Sequence, residues 1–342
     1  MTRCRRLPCL VAALLLAASA GTTMAANPSA LPQASALSPG NARGESRNEG
    51  VLHLLLDAPA FAPEKIKLTI YLPPGYSRTA RRYPVLYAND GQDMEAVGLQ
   101  STLAQLYRDK AIQPVIVVAI RMLADRASGY GLSDRAAARS LVGGSPIGPI
   151  GTRAQDYSAW VATALVPYVD AHYRTRQSAR GRTMLGWSLG ALNAFNLGWQ
   201  YPEVFGQVGA FSPSFWLAAD RGSTTVVQHT RLAQAMVDRG RKRAGLRMWF
   251  AVGTAEETKD RDGDGINDTV DDTQDLLQGY RGADGFRLRG LKQLGYTVNM
   301  DVAKHPSRHA DATLFLLPGG VHNQASWKRM LPVFLRWAYG RH

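Results

Sequence analysis

The chain has 342 residues, of which 45% are hydrophobic and 20% charged, and 40 Lys+Arg against 27 Asp+Glu give a formal net charge of +13. This apolar content suits a buried core and excludes an acidic disordered chain or a collagen-like repeat. The positive charge favours anionic surfaces, but the arginines are scattered from Arg78 to Arg176 rather than set in one aromatic-interleaved stripe, and no nucleic-acid reader motif accompanies them, so nucleic acid is not an expected partner.

Residues 1–26 read as an export signal. Arg3, Arg5 and Arg6 form a basic start, Leu7 to Ala17 an apolar stretch, and Ala18-Ser19-Ala20 a small-residue cleavage site, with a second site ending at Ala25 or Ala26. The stretch is too short to span a bilayer, so a periplasmic or secreted protein without a stable membrane anchor is expected. Both cysteines, Cys4 and Cys9, fall in this segment, which leaves the exported chain without disulfides. Residues 27–48, rich in Ala, Pro, Ser and Gly without periodicity, are expected to be a disordered linker, and 49–342 a single catalytic domain.

Within that domain, Val51 to Leu56 and Ile66 to Leu72 are strand-like and joined by a short connection, which predicts an antiparallel edge. The stretch from Tyr83 to Ala88 reads as a buried strand running into Asn89-Asp90-Gly91-Gln92. A helix over 98–108 and a strand over 115–120 follow, then an irregular Gly/Pro-broken segment from Leu123 to Arg153 expected to border a functional site. Helix 155–171, strands 208–211 and 248–252, a helix around 286–294, strands 297–302 and 313–317, and a terminal helix from about 324 to 339 complete the series. Alternation of strands and helices predicts an α/β fold, with a mostly parallel central sheet covered by helices on both faces.

The chemistry centres on Gly186-Trp187-Ser188-Leu189-Gly190, which fits G-x-S-x-G. Thr183 to Leu185 read as the end of a buried strand, and Leu189 to Leu197 carry apolar residues at helical spacing, so the motif lies in a strand–turn–helix context. A serine hydroxyl becomes a nucleophile only when a base takes its proton and an acid orients that base. In the α/β-hydrolase order Ser, acid, His, the strand 248–252 ends in Gly253-Thr254-Ala255-Glu256-Glu257, and Glu256 is favoured over Glu257 as the acid. The strand 313–317 ends in Pro318-Gly319-Gly320-Val321-His322, which makes His322 the expected general base. The backbone amides of Leu189 and Gln92 are the expected oxyanion donors.

These segments, with Tyr71-Leu72-Pro73-Pro74-Gly75-Tyr76, Ser212-Pro213-Ser214-Phe215-Trp216 and Trp327, resemble the putative-esterase family (esterase D and enterochelin-esterase-like) of α/β-hydrolases. The resemblance implies Ser188 as nucleophile, His322 as base and Glu256 in the acid slot, and a small-molecule or glycan ester as substrate, as in siderophore, feruloyl and acetyl-xylan esterases and S-formylglutathione hydrolases. Two departures stand out. Many relatives carry Arg-x-x-Glu-Tyr where this chain has Arg126-Ala127-Ser128-Gly129-Tyr130, and Leu141 to Ile150 is a Gly/Pro-rich insert of its own. Trp187, Tyr130 and Trp216 are expected to line a substrate pocket. No catalytic cofactor is expected.

A second motif, residues 260–271, places oxygen ligands at the spacing of a calcium loop: Asp260, Asp262, Asp264, the backbone of Ile266, Asp268 and Asp271, with Gly265 at the bend. A structural Ca2+ held there would lie a few residues from Glu256. Two other functions fit the same residues: acyl transfer to a sugar or lipid hydroxyl, and a catalytically inactive calcium-binding module.

Overall fold

Strands buried on both faces read as continuous apolar runs, and such runs build the centre of this molecule. The structure, a computed structural model, describes residues 34–36, 50–146, 148–305 and 309–341. The expected export signal and most of the expected linker lie outside them.

The strands of the main sheet are β1 (Ala34–Ala36), β2 (Val51–Leu56), β3 (Ile66–Tyr71), β4 (Val85–Ala88), β5 (Ile116–Ile120), β6 (Arg182–Trp187), β7 (Gln207–Phe211), β8 (Arg247–Gly253), β9 (Val298–Asn299) and β10 (Ala312–Leu317). They lie in the order β1-β2-β3-β5-β4-β6-β7-β8-β10-β9. From β5 to β9 every pairing is parallel, while β1, β2 and β3 add the expected antiparallel edge. Ala34–Ala36, inside the stretch expected to be a disordered linker, pairs antiparallel with Leu54 to Leu56.

The helices are α1 (Leu99–Arg108), α2 (Ala154–Trp160), α3 (Val166–His172), α4 (Leu189–Gln200), α5 (Thr224–Thr230), α6 (Leu232–Asp238), α7 (Asp268–Gln278) and α8 (Gln324–Tyr339). A π-helical turn, Val161–Leu165, joins α2 to α3. Alternation along the strands divides the core in two. Val118, Met184 and Phe250 face a cluster containing Leu192 and Phe195 of α4, whereas Val117, Leu185 and Trp249 face one containing Leu103 of α1 and Phe334 of α8. The sheet is therefore sandwiched, and its parallel strands all end on one edge.

Three expectations need correction. No helix forms around 286–294: Gly285 and Gly290 interrupt the apolar spacing, and the segment instead gives the short strand Arg287–Leu288 and the 3-10 turn Lys292–Leu294. The strand expected over 297–302 shortens to Val298–Asn299. The segment 123–153, read as irregular, holds a helical turn, Arg126–Gly129, and two hairpins, Leu132–Asp134 with Arg139–Leu141 and Gly143–Ser145 with Gly148–Ile150.

Candidate active site

In an open parallel sheet, residues on the loops after the carboxyl ends of adjacent strands converge, and this is where ligands bind. Here Gln92 follows β4, Ser188 follows β6, Ser212 and Ser214 follow β7, Glu256 follows β8 and His322 follows β10.

Ser188 sits between β6 and α4 with φ 56° and ψ −126°, a strained conformation for a residue with a side chain. The flanking glycines make the turn possible. A Cβ on Gly186 would lie 2.2 Å from the carbonyl oxygen of Gly190, and one on Gly190 would lie 2.5 Å from Oδ2 of Asp90. Leu189 is the first residue of α4, so the helix supplies no acceptor for its amide. Gln92 occupies the 3-10 turn Gly91–Asp93 directly after β4, whose neighbour in the sheet is β6. The Ser188 and Ser214 hydroxyls are 3.5 Å apart.

His322 Nδ1 lies 2.9 Å from Glu256 Oε2. The Glu256 side chain is 1% exposed and that of His322 39%, so the pair joins a buried carboxylate to an accessible ring. A buried carboxylate is tolerable only when its oxygens are hydrogen-bonded. Oε1 accepts from the Gly253 amide at 2.7 Å and from the Ser212 hydroxyl at 2.5 Å. Ser212 in turn accepts from the Trp327 indole N–H at 2.9 Å. With that lone pair occupied, the single hydroxyl proton of Ser212 is directed to Glu256. Ser212 holds this position with φ 46°. Glu257 does not share the arrangement; its carboxylate accepts from the Thr269 hydroxyl.

A second buried carboxylate supports the loop carrying Gln92. Asp90, 1% exposed with φ 54°, takes a bidentate pair of 2.8 Å bonds from Arg126 and a third from the Gln92 side chain. Its amide donates to the Tyr130 hydroxyl at 2.9 Å. Arg126 and Tyr130, the two residues retained from the relatives' Arg-x-x-Glu-Tyr pattern, thus brace Asp90.

Two of the three expected pocket aromatics are core residues. Tyr130 is fully buried, edge-on to Tyr157, and burial pushes its phenol well up from its ordinary value. Trp187 is buried too: as the last residue of β6 it points to the α1/α8 side, stacks on Trp327 at 5.5 Å and donates its indole N–H to Asp93. Trp216 is half-buried and lines a cavity of about 450 Å³ with Glu257 and Asp268.

Of the expected cation ligands, Asp260, Asp262 and Asp264 come together on the surface, with carboxylate oxygens within 4.8 Å of one another. Asp260 accepts from the amides of Gly263, Asp264 and Gly265, and these bonds, the Gly265 one foremost, hold it below its ordinary value. The backbone at Ile266 continues the turn, its amide donating to Asp264. Asp268 departs from the group: it is buried and bonded to the amide and guanidinium of Arg261. Asp271 lies buried on α7, with Oδ2 lacking a hydrogen-bond partner among the described residues, and burial, with Asp275 and Asp262 adding repulsion, pushes its carboxyl up to about 8. The remaining acids of α7 are neutralised internally, Asp272 by Arg231 and Arg261 and Asp275 by Arg231.

Ser212, Trp327 and the Asp90–Arg126 pair were not singled out from the sequence for these roles. The available signal was positional: Ser212-Pro213-Ser214 follows β7 at the same sheet edge as the other site loops. Among the described residues, no helix is long and apolar enough to cross a membrane.

The comparisons with known proteins agree with this architecture. The curated relative YjcH of Bacillus subtilis (strain 168), an uncharacterised protein, is 30% identical over 155 residues, 44% of this chain and 56% of its own length. The chain spans about half the length of the curated relatives it matches. Among solved structures, a ferulic acid esterase superposes with a TM-score of 0.57 at 16% identity, covering 84% of this chain and 97% of that one. The enterobactin esterase FES of Shigella flexneri, solved with enterobactin, gives a TM-score of 0.59 at 17% identity, covering 85% of this chain and 59% of its own. The fold is thus that of α/β-hydrolase-type esterases. The family model Esterase, described as "Putative esterase", matches residues 60–286, well over half of the sequence that carries Ser188 and Glu256 on these strand ends, and the chain belongs to that family.

Proposed function

We propose that this protein is an exported serine carboxylic-ester hydrolase working through an acyl-enzyme, with Ser188 as nucleophile, His322 as general base and Glu256 as the acid that orients it. The family supports ester hydrolysis; the assignment of roles rests on one observation above all, the 2.9 Å bond between His322 Nδ1 and the buried Glu256 at the sheet edge where Ser188 is held strained.

Glu256 holds the tautomer with the proton on Nδ1, leaving Nε2 free to accept the Ser188 proton. Ser188 Oγ then attacks the ester carbonyl carbon, and the carbonyl electrons move onto its oxygen. The Leu189 and Gln92 amides stabilise that oxyanion. Collapse expels the alcohol, which takes the proton from His322, and leaves Ser188 acylated. Water, deprotonated by His322, attacks the acyl carbon; release of the acid returns the proton to Ser188. Ser188→Ala and His322→Ala should each lower kcat on a p-nitrophenyl ester by about 10³-fold or more with the circular dichroism spectrum unchanged. Full activity in Ser188→Ala would reject the mechanism.

The export pattern of residues 1–26 supports a periplasmic or secreted location, tested by N-terminal sequencing of protein recovered from the periplasm and the medium. The acidic loop supports a structural Ca2+ held by Asp260, Asp262 and Asp264, with Asp268 withdrawn onto Arg261 and Asp271 buried on α7 outside this group. Such an ion would steady the segment that Asn267 ties back to the Thr254 carbonyl, two residues before Glu256. Removal of calcium with EGTA should lower Tm, and unchanged melting in millimolar calcium would reject the ion.

A further inference from the structure

The cavity lined by Trp216 is bounded by two segments that also carry the site. Trp216 stands two residues after Ser214, whose hydroxyl is 3.5 Å from that of Ser188, and Glu257 directly follows Glu256. Consecutive Cα atoms are about 3.8 Å apart, so chain connectivity keeps Trp216 and Glu257 within roughly 8 Å of Ser214 and Glu256 and sets the cavity beside the site loops.

The charges around it are uneven. Arg261 is committed to Asp268 and Asp272, while Glu257, hydrogen-bonded to the neutral Thr269 hydroxyl, has no ion-pair partner among the described residues, so the lining sets one such carboxylate against two such cations. Arg221 and Lys259 have no ion-pair partner among the described residues. Arg221 lies over the Trp216 ring, 6.0 Å from its centroid. A planar apolar wall beside two uncommitted cations suits a group that is flat or aliphatic along its length and anionic at its end. The hairpin Gly143–Ser145 with Gly148–Ile150, part of the chain's own Gly/Pro-rich insert, brings Pro146 to the same cavity.

We propose that this cavity selects esters carrying an anionic group, such as a carboxylate, with Arg221 and Lys259 as its specificity-determining residues and Trp216 as its apolar wall. The inference rests on the serine-esterase mechanism and adds the substrate class to it.

The test compares matched esters in both orientations. For the acyl side, mono(4-nitrophenyl) adipate is set against 4-nitrophenyl hexanoate; for the alcohol side, 4-carboxyphenyl acetate against its methyl ester. In at least one pair the wild type should favour the anionic ester in kcat/KM, and that pair identifies which side of the substrate the cavity holds. Arg221→Ala and Lys259→Ala should each lower the anionic-to-neutral ratio by roughly 3- to 10-fold, an effect that shrinks with added salt. Lys292→Ala, which removes an exposed cation from another part of the surface, should leave the ratio unchanged. No anionic preference in either pair, or variants that lower both esters of a pair equally, would overturn the pocket while leaving the esterase mechanism standing. Failure to hydrolyse any of the four esters, with Ser188 unreactive, would overturn the mechanism and the pocket with it.

Discussion

Ser212→Ala probes the support of the candidate acid without touching the three residues proposed to do the chemistry. The substitution removes one hydroxyl that performs two tasks: it donates to Glu256 Oε1 at 2.5 Å and accepts from the Trp327 indole at 2.9 Å. Glu256 retains the Gly253 amide and His322 as partners. A hydrogen bond to a charged group contributes about 1.5–3 kcal/mol. If the lost bond fixes the carboxylate against the imidazole, that energy falls on the transition state, and kcat should drop by about 10- to 100-fold. KM should change little, because Ser212 is fully buried and touches Glu256 and Trp327 rather than substrate. The indole N–H left unpaired beside a buried ring costs about 1–3 kcal/mol, so a fall in Tm should accompany the kinetic loss. Steady-state kinetics on a p-nitrophenyl ester, with a thermal melt on the same samples, gives both numbers. Trp327→Phe, which keeps a ring against Trp187 but removes the donor, should act in the same direction with a smaller loss in kcat. A folded Ser212→Ala protein with kcat within about twofold of wild type, or an effect confined to KM, would refute the positioning argument.

Arg126→Ala leaves the Asp90 carboxylate buried with the Gln92 side chain as its remaining side-chain partner; breaking a buried pair costs about 3–5 kcal/mol, so a large fall in Tm measured by calorimetry is expected. An unshifted melt would show that the pair is not structural. Gly186→Ala would force a Cβ to within 2.2 Å of a backbone oxygen in the following helix, where no side chain can yield. Ester hydrolysis should fall to background, and retention of more than about a tenth of wild-type activity would contradict the close approach inferred at the turn.

Much of the fold was legible because parallel strands announce themselves as apolar runs and the helix 324–339 carries its start signal in Asn323, whose side chain caps the Ser326 amide. The chain order of Ser188, Glu256 and His322 was legible as well, since each follows a strand that ends at the same edge. What sequence could not supply was the direction of side chains and their partners. Trp187 adjoins the candidate nucleophile in sequence, but strand alternation turns it to the other side of the sheet, where Trp327 and Asp93 hold it. Helix α7 was hidden by its own acids: Asp268 and Asp271 read as loop ligands, and Arg231 and Arg261, the former 41 residues before Asp272, make a helix with Asp268, Asp272 and Asp275 tolerable. The Asp90–Arg126 pair likewise joins loops 36 residues apart, a contact no local pattern encodes.

The central claim is that Ser188 is an activated nucleophile, and covalent labelling tests it most directly. A fluorophosphonate probe incubated with the folded protein should add one mass, mapped by peptide mass spectrometry to the segment containing Ser188, and Ser188→Ala should take up none. Labelling at another residue, or an unlabelled wild-type protein shown to be folded, would contradict the account.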